Sequence, residues 1–260
     1  MNKKTVAEAF QNKKAFIPFV TAGDPDLETT EKIILSMQEN GADLIEIGIP
    51  FSDPVAEGIV IQKADERALA AGTTTDKIFD MVGRIREEMH IPMVFMTYVN
   101  VIFVYGIEAF ARRSQELGMA GVIVPDVPFE EKEELERVFH EYGLDVISLI
   151  APTSANRIQA IAAEAKGFVY CVSSLGVTGV RETMNQGVAD MVREVKKVSD
   201  IPCAVGFGIS TPEQARDMAG VSNGVIVGSA IMKIVAEYGR ECVGPVGDYV
   251  RRMKQAVCQL

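Results

Sequence analysis

Residues 203–235 read CAVGFGISTPEQARDMAGVSNGVIVGSAIMKIV. The stretch spells one structural unit twice. A short strand-like run, 203–205, leads into the glycine loop Gly206-Phe207-Gly208-Ile209-Ser210 and then a helical pattern over 212–219. A second run, 224–227, leads into Gly228-Ser229-Ala230-Ile231 and another helical pattern through Val235. Strand, glycine loop and helix in immediate succession is how parallel strands are joined, because each crossover needs a helix to return the chain to the same edge.

Working outward, the same alternation covers the chain. Six further runs lie at 15–20, 43–47, 93–96, 121–124, 145–150 and 167–172. The segments 27–39, 75–88 and 130–142 carry charged faces with apolar positions at helical spacing. The unit recurs about every 30 residues, as a βα repeat should. Eight such units without a linker predict one closed (β/α)8 barrel over residues 1–260, with a short helical segment at the N-terminus. A doubly wound open sheet is the alternative, but no G-x-G-x-x-G opens a helix after the first run.

Composition narrows the function. Of 260 residues, 48% are hydrophobic, enough for a large core, and the formal net charge of −10 repels nucleic acid and anionic membranes. A phosphate site in such a chain has to be built locally. The four cysteines, Cys171, Cys203, Cys242 and Cys258, form no C-x-x-C pair, which suits reduced thiols in a cytoplasm. The opening MNKKTVAEAF has no apolar core of a signal peptide. The most apolar stretch, 91–107, is broken by Pro92, Asn100 and Gly106, so it reads as a buried strand plus loop, not a membrane span.

In a (β/α)8 barrel the chemistry sits where strands end. Two glycine loops follow the seventh and eighth runs, and Gly176-Val177-Thr178-Gly179 follows the sixth. Glycine lets backbone approach a ligand, and the first N–H groups of a helix have no partner within it. Together they predict an anion cradle that needs no Lys or Arg. Tight turns alone would also account for any one of these loops.

Glu46 lies inside the apolar run Leu44-Ile45-Glu46-Ile47, on one face with Leu44 and Gly48. A buried carboxylate there must be hydrogen-bonded to core hydroxyls or kept protonated as a general acid/base. Asp53, between Ser52 and Pro54, suits backbone or partner contacts, while Glu57 alone would be a solvated loop charge. His90 and His140 form no metal-ligand cluster, and Lys63 and Lys233 fall in helical patterns, which disfavours metal-assisted and Schiff-base aldol chemistry.

The segments Pro18-Phe19-Val20-Thr21-Ala22-Gly23-Asp24-Pro25 and Glu46-Ile47-Gly48-Ile49-Pro50-Phe51-Ser52-Asp53-Pro54 resemble the tryptophan synthase alpha subunit family. Pro125-Asp126-Val127-Pro128, Ala151-Pro152-Thr153-Ser154 and the three glycine loops continue the resemblance along essentially the whole chain. It implies retro-aldol cleavage of indole-3-glycerol phosphate to indole and glyceraldehyde 3-phosphate. Glu46 would then be the proton-transfer residue and Glu57 the acceptor for the indole N–H, where the family's more familiar residue is aspartate. Tyr170 would support them and Thr178 would fix Glu57 when the sixth loop closes. Gly179, Gly208, Gly228 and Ser229 would bind phosphate.

Phe19, Tyr98, Ile123, Ile150 and Phe207 would wall the indole site, with Met96 and Pro125 nearby. The implied partner is a pyridoxal-phosphate-dependent beta subunit in an alpha2beta2 complex, met around Pro50, Asp53 and Asn100; this chain would itself hold no cofactor and no metal. Ile59, Val101 and Ser174-Leu175 depart from the family's usual residues near the mouth. The alternatives are a stand-alone indole-3-glycerol phosphate lyase and a non-catalytic subunit that activates its partner.

Overall fold

The structure, a computed structural model, describes residues 4–172, 181–206 and 208–259. Eight parallel strands close on themselves in sequence order, the first pairing with the last. They are β1 (Ala15–Thr21), β2 (Ile45–Gly48), β3 (Met93–Met96), β4 (Gly121–Ile123), β5 (Asp145–Ile150), β6 (Val169–Val172), β7 (Cys203–Gly206) and β8 (Gly224–Val227). A closed barrel has no sheet edge, so the open-sheet alternative falls. Nearly every strand residue is buried, since one face fills the barrel and the other lies under helices. The exceptions are Asp145, Ser148 and Leu149 of β5 and Val172 of β6, which are half-buried.

Eleven helices occur among the described residues: α1 (Leu27–Glu39), α2 (Ile59–Ala70), α3 (Thr75–Ile85), α4 (Val99–Tyr105), α5 (Ile107–Glu116), α6 (Glu133–Glu141), α7 (Ala155–Glu164), α8 (Arg181–Lys196), α9 (Pro212–Val221), α10 (Ser229–Tyr238) and α11 (Val243–Val257). Three strands, β2, β3 and β8, are thus followed by two helices where a simple repeat expects one. The stretch 91–107, expected as strand plus loop, is strand β3 followed by α4. Only Ile102 of α4 is buried, which leaves Phe103 and Val104 on the surface. No helix among the described residues is long and apolar enough to cross a membrane.

Local chemistry sets the element ends. Asp26 caps α1 by accepting the Thr29 N–H at 2.8 Å. Thr211 and Gln214 form a capping box at α9, with Pro212 in the first turn. β2 begins two residues later than the apolar run suggests, because Asp43 is used at the barrel floor. Its buried carboxylate accepts the Phe16 N–H at 2.7 Å and pairs with Lys13 at 2.7 Å and Lys254 at 2.5 Å. A 3-10 turn, Val6–Phe10, covers the same end, with Phe10 against Phe168 at 5.5 Å between ring centroids.

Candidate active site

Parallel register sets Phe19 of β1 beside Glu46 of β2, and Glu46 beside Val94 of β3. Side chains of alternate strand residues point into the barrel, so Glu46 and Gly48 share the inner face. A Cβ at Gly48 would lie 2.5 Å from the Phe19 ring, so the missing side chain is what lets that ring lie across the barrel mouth. Glu46 is 1% exposed, and its Oε1 has no hydrogen-bond partner among the described residues. The core hydroxyl that a purely structural carboxylate would need is missing at that oxygen. Burial first, and then the nearby Glu57 charge, push the Glu46 carboxyl up to about 8.

Glu57 comes from the loop between β2 and α2, two residues before the helix begins at Ile59 with Gly58 as its cap. Tyr98, just past β3, fastens that loop: its hydroxyl accepts the Ala56 N–H at 2.9 Å and donates to Glu57 Oε1 at 3.5 Å. The Tyr98 ring stacks on Phe51 at 5.3 Å, and the Gln62 side-chain amide donates to the Glu57 carbonyl at 2.8 Å. Burial raises Glu57 to about 7, against the lowering effect of the Tyr98 hydrogen bond. Two carboxyls thus face one cleft, both pushed toward neutral pH by loss of water.

Tyr170 of β6 completes the acidic end. It is 5% exposed, and burial followed by the Glu46 and Glu57 charges raises its phenol well above the usual range. The ring lies over Gly206 of β7, where any Cβ would overlap the tyrosine hydroxyl. The cleft, about 240 Å³, runs from Glu46, Glu57 and Tyr170 to Gly208, Gly228 and Ser229. Gly208 has φ +76°, a left-handed conformation that favours glycine, and Ser229 opens α10 with Gly228 as its cap.

Of the other residues expected here, Phe19 and Met96 line the cleft. Ile123 and Ile150 are buried in the barrel core and are not among the lining residues, and Pro125 lines a separate cavity beside β5. Phe207, Thr178 and Gly179 lie outside the described residues. Asp53 and Asn100 are exposed and Pro50 is buried. Asp53 accepts a hydrogen bond from Ser52, which fits the turn expected there.

Sequence reasoning missed two apolar lining residues, Ile61 and Ile226, whose helical or strand spacing looks like ordinary core. It also missed Asp65, 6% exposed on α2, which burial and then Glu57 raise to about 7. One charged residue stands beside the expected backbone cradle. Lys233 lines the cleft together with Gly228 and Ser229, four residues along α10 from Ser229 and so on the same face. The i,i+4 spacing was the available signal. Among the described residues no group of His, Cys, Asp and Glu is arranged to hold a metal ion.

A family model for the tryptophan synthase alpha chain matches residues 6–257. The chain belongs to the tryptophan synthase alpha chain family. It is 47% identical over 252 residues to the tryptophan synthase alpha chain of Lacticaseibacillus casei, covering 97% of this chain and 95% of that one. The protein of the same name from Alkaliphilus metalliredigens is 46% identical over 245 residues, 93% of this chain and 92% of its own. Among solved structures, tryptophan synthase subunit alpha from Legionella pneumophila superposes with a TM-score of 0.89 at 36% identity, over 100% of both chains. Membership in the tryptophan synthase alpha chain family accounts for a barrel whose cleft has carboxyls at one end and a helix start at the other.

Proposed function

We propose that this chain cleaves indole-3-glycerol phosphate to indole and glyceraldehyde 3-phosphate by carboxyl acid/base catalysis, as a single-domain barrel over residues 1–260. One observation carries the reading: Glu46 is a buried carboxyl with an unpartnered oxygen, in the same cleft as the amide-rich start of α10. At neutral pH its raised pKa keeps it in the acid form.

The steps follow from that placement. Glu46 gives its proton to the indole carbon that bears the glycerol chain. The resulting carboxylate takes the proton of the adjacent hydroxyl as the carbon–carbon bond breaks. The bond's electron pair flows into the protonated ring, which leaves as indole, while the hydroxyl carbon becomes the aldehyde of glyceraldehyde 3-phosphate. Glu57, ionised, accepts the indole N–H and offsets the developing positive charge, and Tyr170 holds the acidic end dry. Phe19, Met96, Tyr98, Ile123, Ile150 and Phe207 would supply flat apolar surface for the ring. Gly179, Gly208, Gly228 and Ser229 would hold the phosphate, and Thr178 would fix Glu57.

No cofactor is required, since the ring itself is the electron sink. A beta subunit carrying pyridoxal phosphate would take the indole in an alpha2beta2 complex in the cytoplasm, docking on loops around Pro50, Asp53 and Asn100. Turnover of indole-3-glycerol phosphate by the isolated chain, with and without a beta subunit, tests the whole reading. Cleavage that rises with the partner and drops about 100-fold or more in Glu46→Gln supports it. Full activity in that variant excludes the mechanism. Fast cleavage unaffected by the partner would make the chain a stand-alone lyase, and partner activation without cleavage a non-catalytic subunit.

A further inference from the structure

Lys233 is the one cation among the described residues that line the cleft. Lys233 is an exposed residue, and no salt bridge between described residues involves it. Nearby cations are spent on structure: Arg67 binds Asp24 at 2.7 Å and Arg240 binds Asp26 at 2.8 Å. In a helix the Cα–Cβ bond tilts toward the N-terminus, so the long stem at position 233 leans back over Ser229 and the α10 start.

The cleft has an electrostatic problem that this lysine answers. A phosphate monoester carries close to two negative charges, and it must enter a pocket that already holds Glu46 and Glu57, in a chain of net charge −10. Backbone N–H groups orient an anion but carry only partial charge. A free ammonium one turn along the same helix face adds a full opposite charge and a charge-assisted hydrogen bond at the end of the cleft remote from Glu46.

We propose that Lys233 is a phosphate-recognition residue, its ammonium pairing with the ester phosphate seated at the start of α10. The proposal rests on the phosphate end of the proposed function and names its charged component. It also sets a direction for the substrate: phosphate toward α10, indole toward β1–β3.

The test measures binding of indole-3-propanol phosphate and of indole-3-propanol to the full-length chain, in the parent, Lys233→Gln and Lys233→Arg. The expected result is a roughly threefold to tenfold loss for the phosphate compound in Lys233→Gln, with the alcohol unchanged and Lys233→Arg close to the parent. Salt should also weaken phosphate binding more steeply in the parent than in Lys233→Gln. A parent that prefers the phosphate compound and a Gln variant that keeps the full preference overturns the lysine's role alone. Equal loss of both compounds marks a structural effect and also overturns it. A parent that does not distinguish the two compounds overturns the phosphate end of the proposed function together with the lysine.

Discussion

Glu46 and Glu57 show how burial turns two ordinary glutamates into groups that titrate near neutrality. With Glu57 needed ionised and Glu46 needed protonated, kcat/KM should rise with pH through about 7 and fall through about 8. Because the two carboxyls interact, these limbs belong to the pair. The Tyr98 hydroxyl lowers Glu57, so Tyr98→Phe should move the rising limb to higher pH; an unmoved limb would dissociate that hydrogen bond from the chemistry. Stability follows the same Glu46 proton as the falling limb. Glu46 is raised above its unfolded value, so the folded chain holds a proton that the unfolded chain releases, and stability falls as pH rises from about 4.5 toward about 8. Glu46→Gln should therefore melt higher than the parent at pH 8 but not at pH 4, while its cleavage is lost. Thermal melts across that range read the effect directly. Glu57→Asp withdraws the carboxylate by one methylene, and a faster rate would show that the longer side chain is a handicap.

At the level of elements, the site depends on how strands end and helices begin. The loop holding Gly208 runs directly into α9, whose first turn is closed by the Thr211–Gln214 capping box. Gln214 also accepts the Ser210 N–H at 2.8 Å, so cap and loop are one hydrogen-bonded unit. Thr211→Ala should cost about 1 kcal/mol, seen as a melting point lower by about 2–4 °C. If the cap also positions Gly208, phosphate affinity should fall with it. Gly206 matters for the opposite reason: it leaves room. Gly206→Ala would drive a methyl into the Tyr170 hydroxyl, so cleavage should drop even if the barrel still closes.

At the scale of the whole molecule, the most exposed large apolar side chains among the described residues lie in the segments that follow β2 and β3, on a loop and on helices α2 and α4. Val55 is 81% exposed, Ile59 65%, Phe103 54% and Val104 81%. Exposed apolar groups near Asp53 and Asn100 fit a surface meant to be covered by the proposed beta subunit. Phe103→Ala with Val104→Ala should weaken that association roughly tenfold, measured by titration calorimetry, without lowering the melting point of the isolated chain. Unchanged affinity would move the docking face elsewhere.

Alternating β-branched runs and helical patterns determined eight parallel strands under helices, because a parallel strand buried on both faces needs a continuous apolar run and a covering helix, and both are local features; closure of the sheet was decided only by the pairing of β1 with β8. Glu46 was legible for a related reason: a charge inside such a run conflicts with its surroundings and announces itself. Of the helices beyond the simple repeat, α4 is short with one buried residue and leaves little periodicity to read, whereas α11 is long and buries a full face but follows the eighth unit, where the repeat sets no expectation. The i,i+4 spacing sets Lys233 on the Ser229 face of α10, but its position at the cleft, like that of Asp65 near Glu57, was decided only in three dimensions. Either residue suits a helix surface by its sequence, and only closure of the barrel brings α10 and α2 against the mouth where Glu46 and Glu57 meet. Proximity across distant segments sets their electrostatic environment, and no local pattern encodes it.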